Sequence, residues 1–234
     1  MDKFLWLCFI VPVMAAGMVL HLKMKGQVKA AGYDQHSGSV TLGQQMWYII
    51  PKCLSTWMAV FTAAAGLWQQ KTDTYEHAWW ILAALILFMA ADAFLEIKFY
   101  IGMAVFAAGH LILIAWIFSF GYFNIAGTLI IWCLLIAAAL VLFKKELVQF
   151  KEHPIQYLMM LYPAVLAAII AAAVLMPQAM GTDFMPLAIG MILFGISDML
   201  VGKNFFSPLG KGMNYVILSL YYSGIECIAL MTCM

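Results

Sequence analysis

Apolar residues run along this chain in long unbroken blocks rather than in alternation. Eight blocks reach the length of about 20 residues that a helix needs to cross roughly 30 Å of hydrocarbon. They cover residues 4–22, 46–68, 78–96, 99–118, 124–143, 155–176, 185–202 and 213–233. Polar or Gly/Pro-bearing stretches divide them at 23–45, 69–77, 144–154, 177–184 and 203–212, as turn chemistry requires. The breaks at Lys98 and near Gly121 are thin, and the first predicts a tight hairpin between the third and fourth helices. Continuous runs exclude a membrane β-barrel, whose strands alternate. The first block has features of a secretory signal, with Lys3 ahead of an apolar run and a small-residue cluster at Ala15, Ala16 and Gly17. The run continues past that cluster, so it reads as a span. The pattern predicts an all-α integral membrane protein, a bundle of eight helices forming one domain over 1–234.

Composition agrees with the pattern. Of 234 residues, 66% are hydrophobic and 10% charged, against about 45–50% apolar and 25% charged in soluble domains. The net charge of +1 gives no field that would gather nucleic acid, and all 12 basic residues are Lys. Without Arg, the usual bidentate reader of bases and phosphates is missing, so no nucleic-acid partner is expected. Cys8, Cys53, Cys133, Cys227 and Cys233 lie mostly inside apolar runs with no CxxC or Cys/His spacing. They predict neither a disulfide framework nor a structural zinc site. Lys23, Lys25, Lys29, Lys98, Lys144, Lys145, Lys151, Lys203 and Lys211 fall in the loops after the odd helices, and only Lys3 and Lys71 on the opposite side. By the positive-inside rule both termini are expected outside and the odd loops in the cytoplasm, in a protein of the plasma (inner) membrane if the host is bacterial. Trp47, Trp68, Trp79 and Trp80 sit at predicted interfaces and read as belt anchors. His21, His36, His77 and His153 lie in or beside loops and read as solvated.

Ionisable groups inside spans are costly and mark functional sites. Lys52 lies in the second helix, Asp92 and Glu96 in the third, His110 in the fourth, Asp198 in the seventh and Glu226 in the eighth. Counting 1.5 Å per residue from the cytoplasmic ends puts Asp92 and Asp198 about 6–7 Å deep, Lys52 about 9 Å and Tyr162 about 10 Å. Tyr222 lies about 13 Å and His110 about 16 Å deep, with Glu226 near the middle. Glu96 reads as interfacial. Groups from six helices thus converge on the cytoplasmic half, as one polar pocket would require. Gly102, Phe106 and His110 share a stripe of the fourth helix, and Gly190, Phe194 and Asp198 one of the seventh. Tyr215, Tyr222 and Glu226 align on the eighth and are expected to face inwards with them. Three deep acids face one certain base, Lys52, so at least one carboxyl should hold its proton near neutral pH, the state a general acid needs.

Two segments resemble each other. Ala91-Asp92-Ala93-Phe94-Leu95 leads to Lys98-Phe99, and Ser197-Asp198-Met199-Leu200 leads to Lys203-Asn204-Phe205. The aspartates are 198 − 92 = 106 residues apart. This suggests repeat halves 1–120 and 121–234. Helices three and seven run in the same direction, so the repeat would be parallel, with an axis along the membrane normal and the two aspartates facing each other.

Over roughly residues 46–230 the chain resembles the YhhN-like lysoplasmalogenases, multi-pass membrane proteins with eight helices. The resemblance rests on Lys52, on Asp92-x-x-Leu95 running into Phe99-x-x-Gly102-x-x-x-Phe106-x-x-x-His110, and on Tyr162. It continues through Gly190-x-x-x-Phe194-x-x-Ser197-Asp198 and the Tyr221-Tyr222 pair. The chain departs from the family pattern at Ala91, where Gly is usual, at Leu113 and Ile114, where a Tyr commonly follows the His, and at Ile225-Glu226, where Gln is common. The resemblance implies hydrolysis of the vinyl ether of a lysoplasmalogen to a fatty aldehyde and glycerophosphoethanolamine or glycerophosphocholine, with a lysophospholipid from the bilayer as substrate.

Such a reaction protonates the β-carbon and lets water capture the oxocarbenium ion, a task for one neutral and one ionised carboxyl, as in glycosidases. Asp92 and Asp198 are the expected pair. His110 and Tyr222 would position water or substrate, and Tyr162, Ser197, Tyr221 and Glu226 would support them. Lys52 would meet the lipid phosphate or hold one Asp ionised. One His and scattered acids do not make a metal set, so no metal or cofactor is expected. Three other classes fit parts of the pattern: a transporter of a small or lipid-like solute, a hydrolase of another lysophospholipid or an amide lipid, and a structural protein that tolerates Asp→Asn. Ser197 lacks the G-x-S-x-G setting of a serine nucleophile. Oligomeric state is not legible.

Overall fold

The computed structural model describes residues 3–30, 42–69, 78–121, 124–146, 156–210 and 212–233. Among these residues there is no strand. Eight long helices follow in order: α1 Lys3–Ala30, α2 Leu42–Gln69, α3 Trp79–Ile97, α4 Phe99–Ser119, α5 Ile125–Leu142, α6 Gln156–Met180, α7 Met185–Phe206 and α8 Met213–Leu230. Short 3₁₀ turns precede α7 and follow α8, at Thr182–Phe184 and Met231–Cys233. All eight helices are long and apolar enough to cross a membrane. The fold is that of an all-α integral membrane protein.

Where the helices outrun their apolar blocks, the physical reasons differ. α1 continues from residue 22 to Ala30 because Lys23, Lys25 and Lys29 favour helix as much as most residues do, and Lys25 finds a buried partner. α6 passes through Pro163 and Pro177, which membrane helices tolerate when the freed backbone groups are met elsewhere. The helix closes with the Gly181 amide donating to the Pro177 carbonyl at 3.1 Å, an ordinary last-turn bond, and Gly181, at φ +108°, then turns the chain. α7 runs four residues beyond its expected end, which puts Lys203 on the helix rather than in a loop. Lys98 is a single extended residue, φ −143° and ψ 102°, between α3 and α4, so the hairpin is as tight as the sequence requires.

Six helices close a ring through the packed pairs α2–α3, α3–α4, α4–α6, α6–α7, α7–α8 and α8–α2. α1 lies outside it on α2 and α8, and α5 outside it on α6. The ring interior is aromatic: Phe88, Phe106, His110, Phe194 and Tyr221 meet with centroid distances of 4.8–6.5 Å. α5 is the least covered helix, with Thr128 its one buried residue. Trp47, Trp68 and Trp79 face outwards, whereas Trp80 is half-buried and stacks on Trp79 at 4.8 Å.

α7 and α8 cross at a pair of glycines. A Cβ on Gly224 would lie 2.8 Å from the Gly190 carbonyl oxygen, and one on Gly190 would lie 2.7 Å from that of Gly224. Both contacts are with backbone, so the helices themselves would have to part. Gly224→Ala should therefore cost about 1–3 kcal/mol, read as a lowered midpoint of thermal unfolding in detergent. Gly26→Ala, where a Cβ meets nothing within 4 Å, should leave the midpoint unchanged or slightly raised. Equal midpoints for the two variants would contradict this close approach.

Candidate active site

A cavity of about 450 Å³ lies on the side where α3 and α7 end and α4 and α8 begin, walled by helices of the ring and by α5. Its wall is mostly apolar. The polar groups that line it are Lys52, Asp92, Tyr162, Ser197, Asp198 and Tyr221. Five helices supply them, and the sequence had singled out each one.

The two aspartates differ in their company. Asp92 is 2% exposed. Its Oδ1 lies 3.4 Å from the Lys52 ammonium, and its Oδ2 accepts from the Tyr221 hydroxyl at 2.8 Å and from the Thr56 hydroxyl. Asp198 accepts from the Tyr162 hydroxyl. Among the described residues it has no cation within ion-pair distance. One carboxyl is thus matched by a buried positive charge and the other by a neutral phenol.

Lys52 also donates to Glu96 at 3.0 Å. Glu96, read from the sequence as interfacial, is 5% exposed and takes a second ammonium, Lys25, at 2.6 Å. His21 joins them. It is buried rather than solvated: its Nδ1 donates to the Tyr48 carbonyl at 2.6 Å, and its Nε2 lies 3.7 Å from Glu96. Lys25 comes from the stretch of α1 that continues past the apolar block, and His21 from the last turn of the block itself. Lys52 is therefore held between two carboxylates and is not available to a phosphate. His36, His77 and His153 lie outside the described residues.

Three expected site residues stand away from the cavity wall. His110 is fully buried among Phe88, Phe106, Phe194 and Tyr162. Its Nδ1 donates to the Phe106 carbonyl one turn back at 2.7 Å, and its Nε2 has no partner among the described residues. It backs the ring of Tyr162, which holds Asp198. Tyr222 is buried and donates to the Lys52 carbonyl at 3.4 Å. Glu226 sits further along α8 and accepts from Thr62 at 2.8 Å, in a separate polar contact. Tyr215, expected to face inwards with them, is 44% exposed because it lies only two residues into α8, where the bundle opens. Ser197 lines the cavity, but its hydroxyl donates to the Ile217 carbonyl at 2.9 Å, which suits a packing role better than a nucleophile.

Sequence reasoning passed over Thr56 and Glu96's partners. Thr56 carried one signal: it lies 36 residues before Asp92, the spacing that separates Tyr162 from Asp198. At the cavity rim Lys203 donates to Glu146 at 2.9 Å, and that bond holds the Glu146 carboxyl below the usual carboxylate range.

A family model described as the YhhN family matches residues 47–232. No curated protein and no solved structure gives a significant match.

Proposed function

The chain belongs to the YhhN family, and on that footing we propose that it is an intramembrane hydrolase of the vinyl ether of lysoplasmalogens. The reading is carried by one observation: two aspartates line the same cavity, one paired with a buried ammonium and the other only with a tyrosine hydroxyl. A vinyl ether hydrolase needs that asymmetry. Asp198 carries the proton, because no cation among the described residues lies within ion-pair distance of it and an unpaired carboxylate in low dielectric is costly. Tyr162 donates to one of its oxygens and leaves the other to face substrate. Asp92 is the ionised partner, kept so by Lys52 and oriented by Thr56 and Tyr221.

In the first step Asp198 gives its proton to the β-carbon of the vinyl ether. The double-bond electrons form the new C–H bond, and the ether oxygen shares the positive charge on the neighbouring carbon. The Asp92 carboxylate stabilises that oxocarbenium ion and takes a proton from the water that adds to it. The hemiacetal then collapses to a fatty aldehyde and a glycerophospho-alcohol: Asp92 gives its new proton to the departing glycerol oxygen, and Asp198 takes the proton of the hemiacetal hydroxyl, so both carboxyls return to their starting states. The apolar wall, with Trp132, Ile136, Met160 and Leu166, suits an aliphatic chain. The positive-inside reading puts the site toward the cytoplasmic face and the termini outside. The equal 36-residue spacings also support treating the two halves as related units.

Purified protein in detergent, given a 1-alkenyl lysophospholipid with EDTA present, should release aldehyde. In D₂O the aldehyde should carry one deuterium on the carbon next to the carbonyl, as protonation at the β-carbon requires. No aldehyde from folded protein would remove this reading. Aldehyde without that deuterium would remove the carbon-protonation mechanism.

A further inference from the structure

The proposed substrate brings a phosphate and an ammonium, and the one cation on the cavity wall among the described residues is already paired. Lys52 is the one cation that lines it among the described residues, and Lys52 is bound by Asp92 and Glu96. The next cation is at the rim. Lys203 lies five residues after Asp198 on α7, about 7.5 Å along the helix axis. Its neighbours Gly202, Phe205 and Phe206 line the cavity. The Lys203 ammonium lies 5.5 Å from the centroid of Phe143 and bonds one oxygen of Glu146. Glu146 is 6% exposed, and its second oxygen is buried with no hydrogen-bond partner among the described residues. Phe99 stacks on Phe205 at 4.7 Å, and Phe205 meets Phe206 edge-on at 5.0 Å. Phe99, Phe143, Phe205 and Phe206 all line the cavity, and all sit where α4 begins and α5 and α7 end.

We infer that this rim is a subsite for a zwitterionic phosphoalkylammonium headgroup. The Lys203 ammonium takes the phosphate, and the free oxygen of Glu146 together with the rings of Phe99, Phe143, Phe205 and Phe206 takes the cationic nitrogen. A primary ammonium donates to the carboxylate. A trimethylammonium has no N–H and is held by the ring faces. The spacing fits. In an ether lysophospholipid the phosphorus is five bonds from the vinyl oxygen and the nitrogen nine, about 6 and 11 Å at the reach per bond of an extended chain. Lys203 and Phe206 lie about 7.5 and 12 Å along the axis from Asp198. The inference rests on the proposed reaction for the position of the ether. The Lys203–Glu146 pair presents to the headgroup the charges it presents itself, in opposite order.

The test uses uncleavable ligands, so that it does not depend on turnover. Wild-type protein should bind 1-O-alkyl-lysophosphocholine at least about tenfold more tightly than 1-O-alkylglycerol, the gain expected of one charge-assisted contact. Lys203→Gln should lose that preference while 1-O-alkylglycerol binds as before. The charge-swapped Lys203→Glu/Glu146→Lys double variant separates a subsite from a plain latch between α5 and α7. It keeps an ion pair and should restore thermal stability, yet leave phosphocholine-lipid binding weak. Restored lipid binding in the swap, or equal binding of the two ligands by wild type, would overturn the subsite. Chainless phosphocholine should bind far more weakly than the ether lipid, and equal affinity would mean a water-soluble ligand and overturn the lipid headgroup. A headgroup preference without aldehyde release would leave the subsite standing and remove the reaction.

Discussion

Asp198→Asn should lower aldehyde release by about a hundred- to ten-thousandfold, the range that a general acid contributes, in a protein that remains folded. The carboxamide has almost the shape of the carboxyl, and its oxygen still accepts from Tyr162, which is the partner the structure gives Asp198. What the substitution removes is the transferable proton. Midpoints of thermal unfolding within a few degrees of wild type would show that the loss is chemical. Tyr162→Phe should fall in between, because the acid survives without its orienting hydrogen bond. An Asp198→Asn protein that retained most of its turnover would transfer the acid role elsewhere and undo the asymmetry on which the reaction depends.

The second large effect is on stability. Lys52→Met should destabilise the protein by about 3–5 kcal/mol, the cost of removing one partner from a buried ion pair. It would leave Asp92 without a cation, and Glu96 with Lys25 at 2.6 Å as its remaining ammonium. Removing both charges together should cost less than the sum. In Lys52→Met/Asp92→Asn no uncompensated charge remains next to Tyr221 and Thr56. A double-mutant cycle should return a coupling of more than 1 kcal/mol, since residues in contact do not behave additively. Strict additivity would show that the 3.4 Å approach of Lys52 to Asp92 has no energetic consequence. Activity should fall in the single variant as well, because Asp92 would no longer be held ionised.

The helices were legible because their signal is local. Continuous apolar runs of the right length fix each span, and the lone polar Lys98 fixes the α3–α4 hairpin. Their ends were less legible, since hydrophobicity reports where lipid stops and not where hydrogen bonding along the backbone stops. Lys25 and Lys203 were assigned to loops for that reason, and both make ion pairs from helical turns. For the site, depth along each helix brought Lys52, Asp92, Tyr162 and Asp198 to nearby levels, the family resemblance added Ser197 and Tyr221, and all six line one cavity. Depth alone carries no azimuth. His110 and Tyr222 lie at the right level but point into the ring's packing, and Glu226 lies further along α8 with Thr62. Thr56 escaped notice because a hydroxyl in a span is ordinary, and His21 reads as solvated because it stands beside a lysine cluster; only the fold brings them to a carboxylate.

The placement of Lys52 opposite Asp92 also bears on how the chain enters the bilayer during synthesis. A Lys or an Asp costs up to about 2.5–3.5 kcal/mol to insert in a lone span, the full amount at its centre and less toward its ends. α2 carries the lysine, and α3, which follows it, carries two acids. Delivered singly, each is a poor candidate for lateral release from the translocation channel. Released as a pair, with Lys25 of α1 close to Glu96, they neutralise each other before meeting lipid. The first three helices should therefore partition as one cooperative unit, with α2 waiting at the channel for its successor. Among the described residues no cation stands within ion-pair distance of Asp198 on α7. The helix should leave the channel most readily with that carboxyl neutral, which is also the state that the proposed chemistry asks of it.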